Sequence, residues 1–130
     1  MSGGSGSRTT TAVALAGNGA FQACLAAGAP WGRFAYGGGH DGRLPDRLRR
    51  VSAGAAVGYG VAAALVQSGA GRPAARRGAL SALTAVMGLG VVANGASRSP
   101  HERLLWTPVC ALTAASAWLA RPALPGAIGA

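Results

Sequence analysis

The chain has 130 residues and a formal charge of +9, built from twelve arginines and no lysine against Asp41, Asp46 and Glu102. That length holds one small domain. Two cysteines are too few for a disulfide framework and lack metal-ligand spacing, so neither a metal nor a cofactor is expected. Charge is absent from four stretches, residues 9–32, 51–71, 78–97 and 104–120. Each is close to the roughly 20 residues a helix needs to cross a hydrocarbon core. The pattern predicts an all-α, four-helix transmembrane bundle in the cell membrane. Half of the residues are hydrophobic, but Ala and Gly dominate, and mean hydropathy is only +0.31. A soluble Ala-rich bundle is the competing architecture. It is disfavoured because a soluble helix carries charge along its outer face, whereas these segments carry it at their ends.

In chain order, residues 1–8 read as a flexible Ser/Gly leader. The first span covers about residues 9–28 and includes Gly17, Asn18, Gly19 and Gln22. A cleaved signal peptide competes here, but the two amides interrupt its hydrophobic region, so a retained helix is expected. Loop 1, residues 29–50, carries Pro30, the run Gly37-Gly38-Gly39 and Pro45. The second span follows at about 51–69. A tight basic turn with Arg72, Pro73, Arg76 and Arg77 leads to the third, about 79–96. A short loop 3 makes spans three and four, the latter about 103–120, a helical hairpin. Ser99-Pro100-His101-Glu102 has the grammar of a capping box, with Ser accepting from the amide three residues on and Glu reaching back. Pro108 is expected to kink the fourth helix, and residues 122–130 form an apolar tail.

Four passes put loops 1 and 3 on one side. That side holds Arg33, Arg43, Arg47, Arg49, Arg50, Arg98 and Arg103, and the other holds Arg8, Arg72, Arg76, Arg77 and Arg121. Seven arginines against five favour the first side as cytoplasmic. Arginine in short loops at span ends contacts anionic headgroups, so membrane lipids are the expected partners and nucleic acid is not. The absence of lysine beside heavy Ala, Gly and Arg use suggests a GC-rich genome.

The same topology collects both histidines, all three acids, Trp31, Tyr36 and Trp106 on one face. The plain readings are structural. Trp31 and Trp106 suit interfacial anchors, and Asp46 and Glu102 suit pairing with neighbouring arginines and helix N-termini. The sharper reading takes Gly38 and Gly39, with Arg33, Arg43, Arg98 and Arg103, as a site for a phosphate or lipid headgroup. Glycines let backbone amides converge on an anion, and Arg supplies paired donors. Candidate acid/base groups on that face are His40, Asp41, His101 and Glu102.

Within the spans, Asn18, Gln22 and Asn94 are expected to hydrogen-bond between helices, or else to line a pore or substrate cavity. No acid, lysine or arginine lies inside a span, which argues against proton-coupled transport. Gly54 and Gly58, four apart, permit close helix approach. Cys24 and Cys110 fall at similar depth, and inert packing is favoured over a redox pair because no base or CxxC motif accompanies them.

Two stretches resemble a group of small four-pass membrane proteins of actinobacteria. One runs through Gly28-Ala29-Pro30-Trp31-Gly32, Gly37-Gly38, His40, Gly42, Leu44-Pro45, Leu48-Arg49 and Ser52. The other comprises Asn94, Ser97-Arg98-Ser99-Pro100, Glu102-Arg103, Trp106 and Pro108. The resemblance implies the four-pass topology and points to the same face; it implies no catalytic role. The expectation is therefore a non-enzymatic structural, interaction or accessory membrane protein, as a homodimer or with another membrane protein. The alternatives are a membrane enzyme for a lipid-like or phosphate-bearing substrate, and a small channel or carrier.

Overall fold

A computed structural model of the chain describes residues 2–123. They form four helices, α1 (Ser2–Ala27), α2 (Asp46–Ser68), α3 (Pro73–Gly95) and α4 (Pro100–Leu119), with two 3₁₀ turns in loop 1 and no strand. The apolar tail beyond Ala123 lies outside the described residues.

Each helix starts before the uncharged stretch that announced it, for a local reason. Asp46 opens α2 with an acid in its first turn, where it complements the helix dipole. Pro73 and Pro100 open α3 and α4, since proline at the first position sacrifices only an amide that has no helical partner. The expected flexible leader is instead helical, with α1 beginning at Ser2. Once the first turns of α1 exist, each added residue costs less than nucleation did. The hydroxyls of Thr10 and Thr11 also lie 2.9 and 2.8 Å from the carbonyls of Gly6 and Ser7. α2 ends on Gly69 at φ 65°, the left-handed cap that satisfies a terminal carbonyl. α4 runs through Pro108 to Leu119; the missing N–H leaves the Leu104 carbonyl without its helical donor.

The helices do not close into a ring. α1 packs along α2 and across α4, α3 packs along α4, and α2 and α3 make little contact although consecutive. The order across the molecule is α2, α1, α4, α3. Neighbours run antiparallel, so loops 1 and 3 meet at one end, and the start of α1, the α2–α3 turn and the end of α4 gather at the other. Close approach sets the spacing of both hairpins. A Cβ on Gly19 of α1 would stand 3.2 Å from Tyr59 Cβ of α2, and one on Gly90 of α3 would stand 2.9 Å from Cys110 Sγ of α4.

Gly54 and Gly58 play no such part. Both are exposed and meet nothing within 4 Å, because α2 turns its other face, with Ala56 and Tyr59, to α1.

The interior is small and hydroxyl-rich. Thr11, Thr113 and Ser52 are fully buried alongside Leu15 and Leu25. Thr11 on α1 and Ser116 on α4 join hydroxyls at 2.8 Å. Large aliphatic residues instead point outward, among them Val57, Leu65, Val86, Leu89, Val92 and Leu104. α2 and α3 are long and apolar enough to cross a membrane, and only 6% and 11% of their apolar windows are buried. An apolar helix at the centre of a soluble protein would be largely buried.

Candidate functional site

Loops 1 and 3 close against each other through four ties between residues distant in sequence. The Glu102 carboxylate accepts the Gly37 amide at 2.9 Å and the Ser97 hydroxyl at 2.6 Å. Ser99 Oγ donates to the Arg33 carbonyl at 3.1 Å. The Trp106 indole donates to the Phe34 carbonyl, and the Phe34 ring meets His101 edge-on at 5.0 Å.

This geometry revises the capping box. Ser99 does accept from the Glu102 amide, at 3.3 Å. The return bond is absent: the Ser99 amide goes to Ser97 Oγ, which frees Glu102 to reach loop 1. Nor does Glu102 pair with arginine. Among the described residues the one ion pair is Arg49–Asp46, at 3.3 Å. Glu102 is buried, and backbone and hydroxyl donors stabilise its carboxylate where a cation was expected.

The glycine run serves the same docking. Gly37 and Gly38 sit at φ 81° and 73°, a region that favours glycine. A Cβ on Gly38 would stand 2.7 Å from Ser99. The converging amide expected here for an external anion is therefore met by an internal one, Glu102. Gly39, at φ −74° with open space around it, takes no part.

The arginines proposed with these glycines are dispersed. Arg33 lies over the Phe34 ring at 5.4 Å, Arg43 packs on Gly28, Arg103 donates to the Ser97 carbonyl at 2.7 Å, and Arg98 is exposed. The four candidate acid/base groups are likewise not assembled. No hydrogen bond or ion pair joins any two of His40, Asp41, His101 and Glu102. His40 keeps a buried Nδ1 without a partner, and Asp41 is exposed.

Beneath the loops lies a cavity of about 190 Å³, with polar and apolar walls. The three in-helix amides, Asn18, Gln22 and Asn94, meet here, with Tyr59, Cys110 and Glu102. Phe21, stacked on Trp31 at 5.9 Å and edge-on to Trp106 at 4.7 Å, also contributes to it. The expected bonding across helices is met by Asn94 alone. Asn18 and Asn94 donate to carbonyls four residues back in their own helices, at 3.3 and 2.8 Å. Asn94 reaches across only to Cys110 Sγ, at 3.8 Å. Gln22 Oε1 is buried without a donor. Both cysteines are free thiols, and only Cys110 reaches this cavity.

Tyr36 and Ser52 are a pair the sequence did not suggest. Their hydroxyls lie 2.9 Å apart and anchor loop 1 to α2. Tyr36 takes a positive φ of 50° to do so. No spacing signal reports a tie whose partners are set by loop shape.

No protein family, curated protein or solved structure matches this chain.

Proposed function

We propose that this is a four-pass integral membrane protein that acts by packing in the lipid bilayer as an accessory or interaction protein, without chemistry of its own. The observation that carries this reading is the inverted distribution of side-chain size. Small and hydroxyl residues fill the helix contacts, as in bundles where lipid tails are as apolar as leucine and close backbone approach drives association. Valine and leucine face outward on α2 and α3, an apolar surface that water does not tolerate at this extent. Glu102 and the glycine run are engaged in holding loops 1 and 3 together, which leaves the arginines to meet headgroups.

The test is partition. Expressed full-length, the chain is expected in the membrane fraction, resistant to alkaline carbonate and recovered only with detergent. A compact, monomeric chain in plain buffer overturns the reading. A second reading, a carrier for a small polar solute, is favoured by the cavity with its unpartnered Gln22 oxygen. Liposome flux abolished by Asn94→Leu in a folded protein would support it.

A further inference from the structure

At the end opposite loops 1 and 3, the open side of the helix row forms a cleft of about 350 Å³ between α2 and α3, floored by α1. Leu15, Val66, Leu80 and Leu83 give it an apolar lining, and Arg8 and Arg76 stand beside its outer end. Arg8 lies across the α2–α3 turn, close enough that a Cβ on Gly69 would meet its Nη1 at 2.9 Å. Its Nε is buried with no hydrogen-bond partner. Neither guanidinium donates to the protein among the described residues. The other two arginines of known contact here are occupied: Arg77 donates to the Pro122 carbonyl at 2.8 Å, and Arg121 donates to Ser81 while lying on the Trp118 ring.

From this we infer that the α2–α3 cleft binds one anionic phospholipid, its phosphate held by Arg8 and Arg76 and the upper part of an acyl chain lying on Val66 and Leu83. Charge complementarity selects the occupant. Arg8, Arg72, Arg76, Arg77 and Arg121 crowd this end, and all three acids of the chain lie at the other. A buried guanidinium nitrogen without an acceptor is costly, and phosphate oxygens satisfy paired Arg donors. Geometry agrees, since Leu83 lies two helical turns along α3 from Arg76, about 10 Å deeper, on the path a lipid tail takes from its headgroup. The inference rests on the membrane reading above.

Native mass spectrometry tests it on the full chain in mild detergent, offered equal amounts of phosphatidylglycerol and phosphatidylcholine with identical tails. The wild type is expected to retain one phosphatidylglycerol with about thirtyfold preference. The variant Arg8→Gln/Arg76→Gln is expected to bring that preference close to one. Arg47→Gln/Arg50→Gln, which removes equal charge at the far end, is expected to preserve it. Ala79→Trp, which fills the cleft and leaves both arginines, is expected to lower retention of both lipids. Unchanged helicity and elution volume qualify each variant.

Preference that survives loss of Arg8 and Arg76, or that falls equally with Arg47 and Arg50, overturns the assignment. So does displacement of the lipid by excess inorganic phosphate, which would mean a free-anion site. Lipid retention that appears only after deletion of residues 124–130 would mean that the chain's own tail fills the cleft. A chain that enters membranes yet retains no anionic lipid defeats the cleft alone, whereas one compact in plain buffer defeats the membrane reading itself.

Discussion

The Glu102 carboxylate accepts the backbone amide of Gly37, 65 residues away in the chain, at 2.9 Å. With the Ser97 hydroxyl on its other oxygen, it is the one carboxylate among the side chains that fasten loop 1 to loop 3, beside Ser99 and Trp106. A hydrogen bond to a charged group contributes about 1.5 to 3 kcal/mol, and orphaned buried donors add to the loss. Glu102→Ala is therefore expected to destabilise by about 3 kcal/mol, and Glu102→Gln, which keeps one acceptor, by about half of that. Unfolding of the detergent-solubilised protein by sodium dodecyl sulfate, followed by circular dichroism, measures both. Equal stability of the alanine variant and the wild type would mean that the tie carries no weight.

Gly38 and Gly39 are adjacent but are expected to respond differently. Gly38→Ala places a Cβ 2.7 Å from Ser99 at a positive φ, where an L-residue costs about 1 to 2 kcal/mol before any clash. Gly39→Ala meets nothing within 4 Å and is expected to stay within about 0.5 kcal/mol of wild type. Comparable losses at both positions would point back to a shared anion cradle.

Gly58 offers a clean reporter of partners. A Cβ there meets nothing within 4 Å in the monomer and the position is exposed, so Gly58→Val is expected to leave monomer stability nearly unchanged. Any loss of self-association in analytical ultracentrifugation then belongs to an outer surface of α2. Gly19→Val is the contrast, because its Cβ would press within 3.2 Å of Tyr59. Overpacking of that kind costs about 1 to 3 kcal/mol.

Gln22 carries an unsatisfied buried oxygen. Gln22→Leu is expected to raise stability by about 1 kcal/mol by removing it. Loss of stability in the same unfolding assay would show that the oxygen has a ligand in the functional protein.

The four-helix organisation was legible because charge falls only at segment ends. The same rule placed the helix starts several residues late: Asp46, Arg76 and Glu102 lie inside helices, and a charge-free window excludes them. The meeting of loops 1 and 3 followed from parity. Asn18 and Gln22, one turn apart on α1, line one cavity with Asn94 of α3, the arrangement that the alternative reading of these amides described. What stayed hidden was the choice among chemically equivalent partners. Glu102 had arginines at Arg98 and Arg103 within a few residues, and nothing in the spacing reveals that a glycine amide from loop 1 wins. The α2–α3 cleft was equally invisible, since a tight turn such as residues 69–72 ordinarily brings its helices together.

That splayed turn has a consequence for how the molecule is put together. With α2 and α3 barely touching, the α1–α4 contact and the loop ties join the two hairpins across space, and the peptide link at Gly71 adds connectivity but little cohesion. Halves produced as separate polypeptides, residues 1–70 and 71–130, are expected to reassemble into the intact fold and copurify, with Glu102→Ala in the second half weakening the pairing.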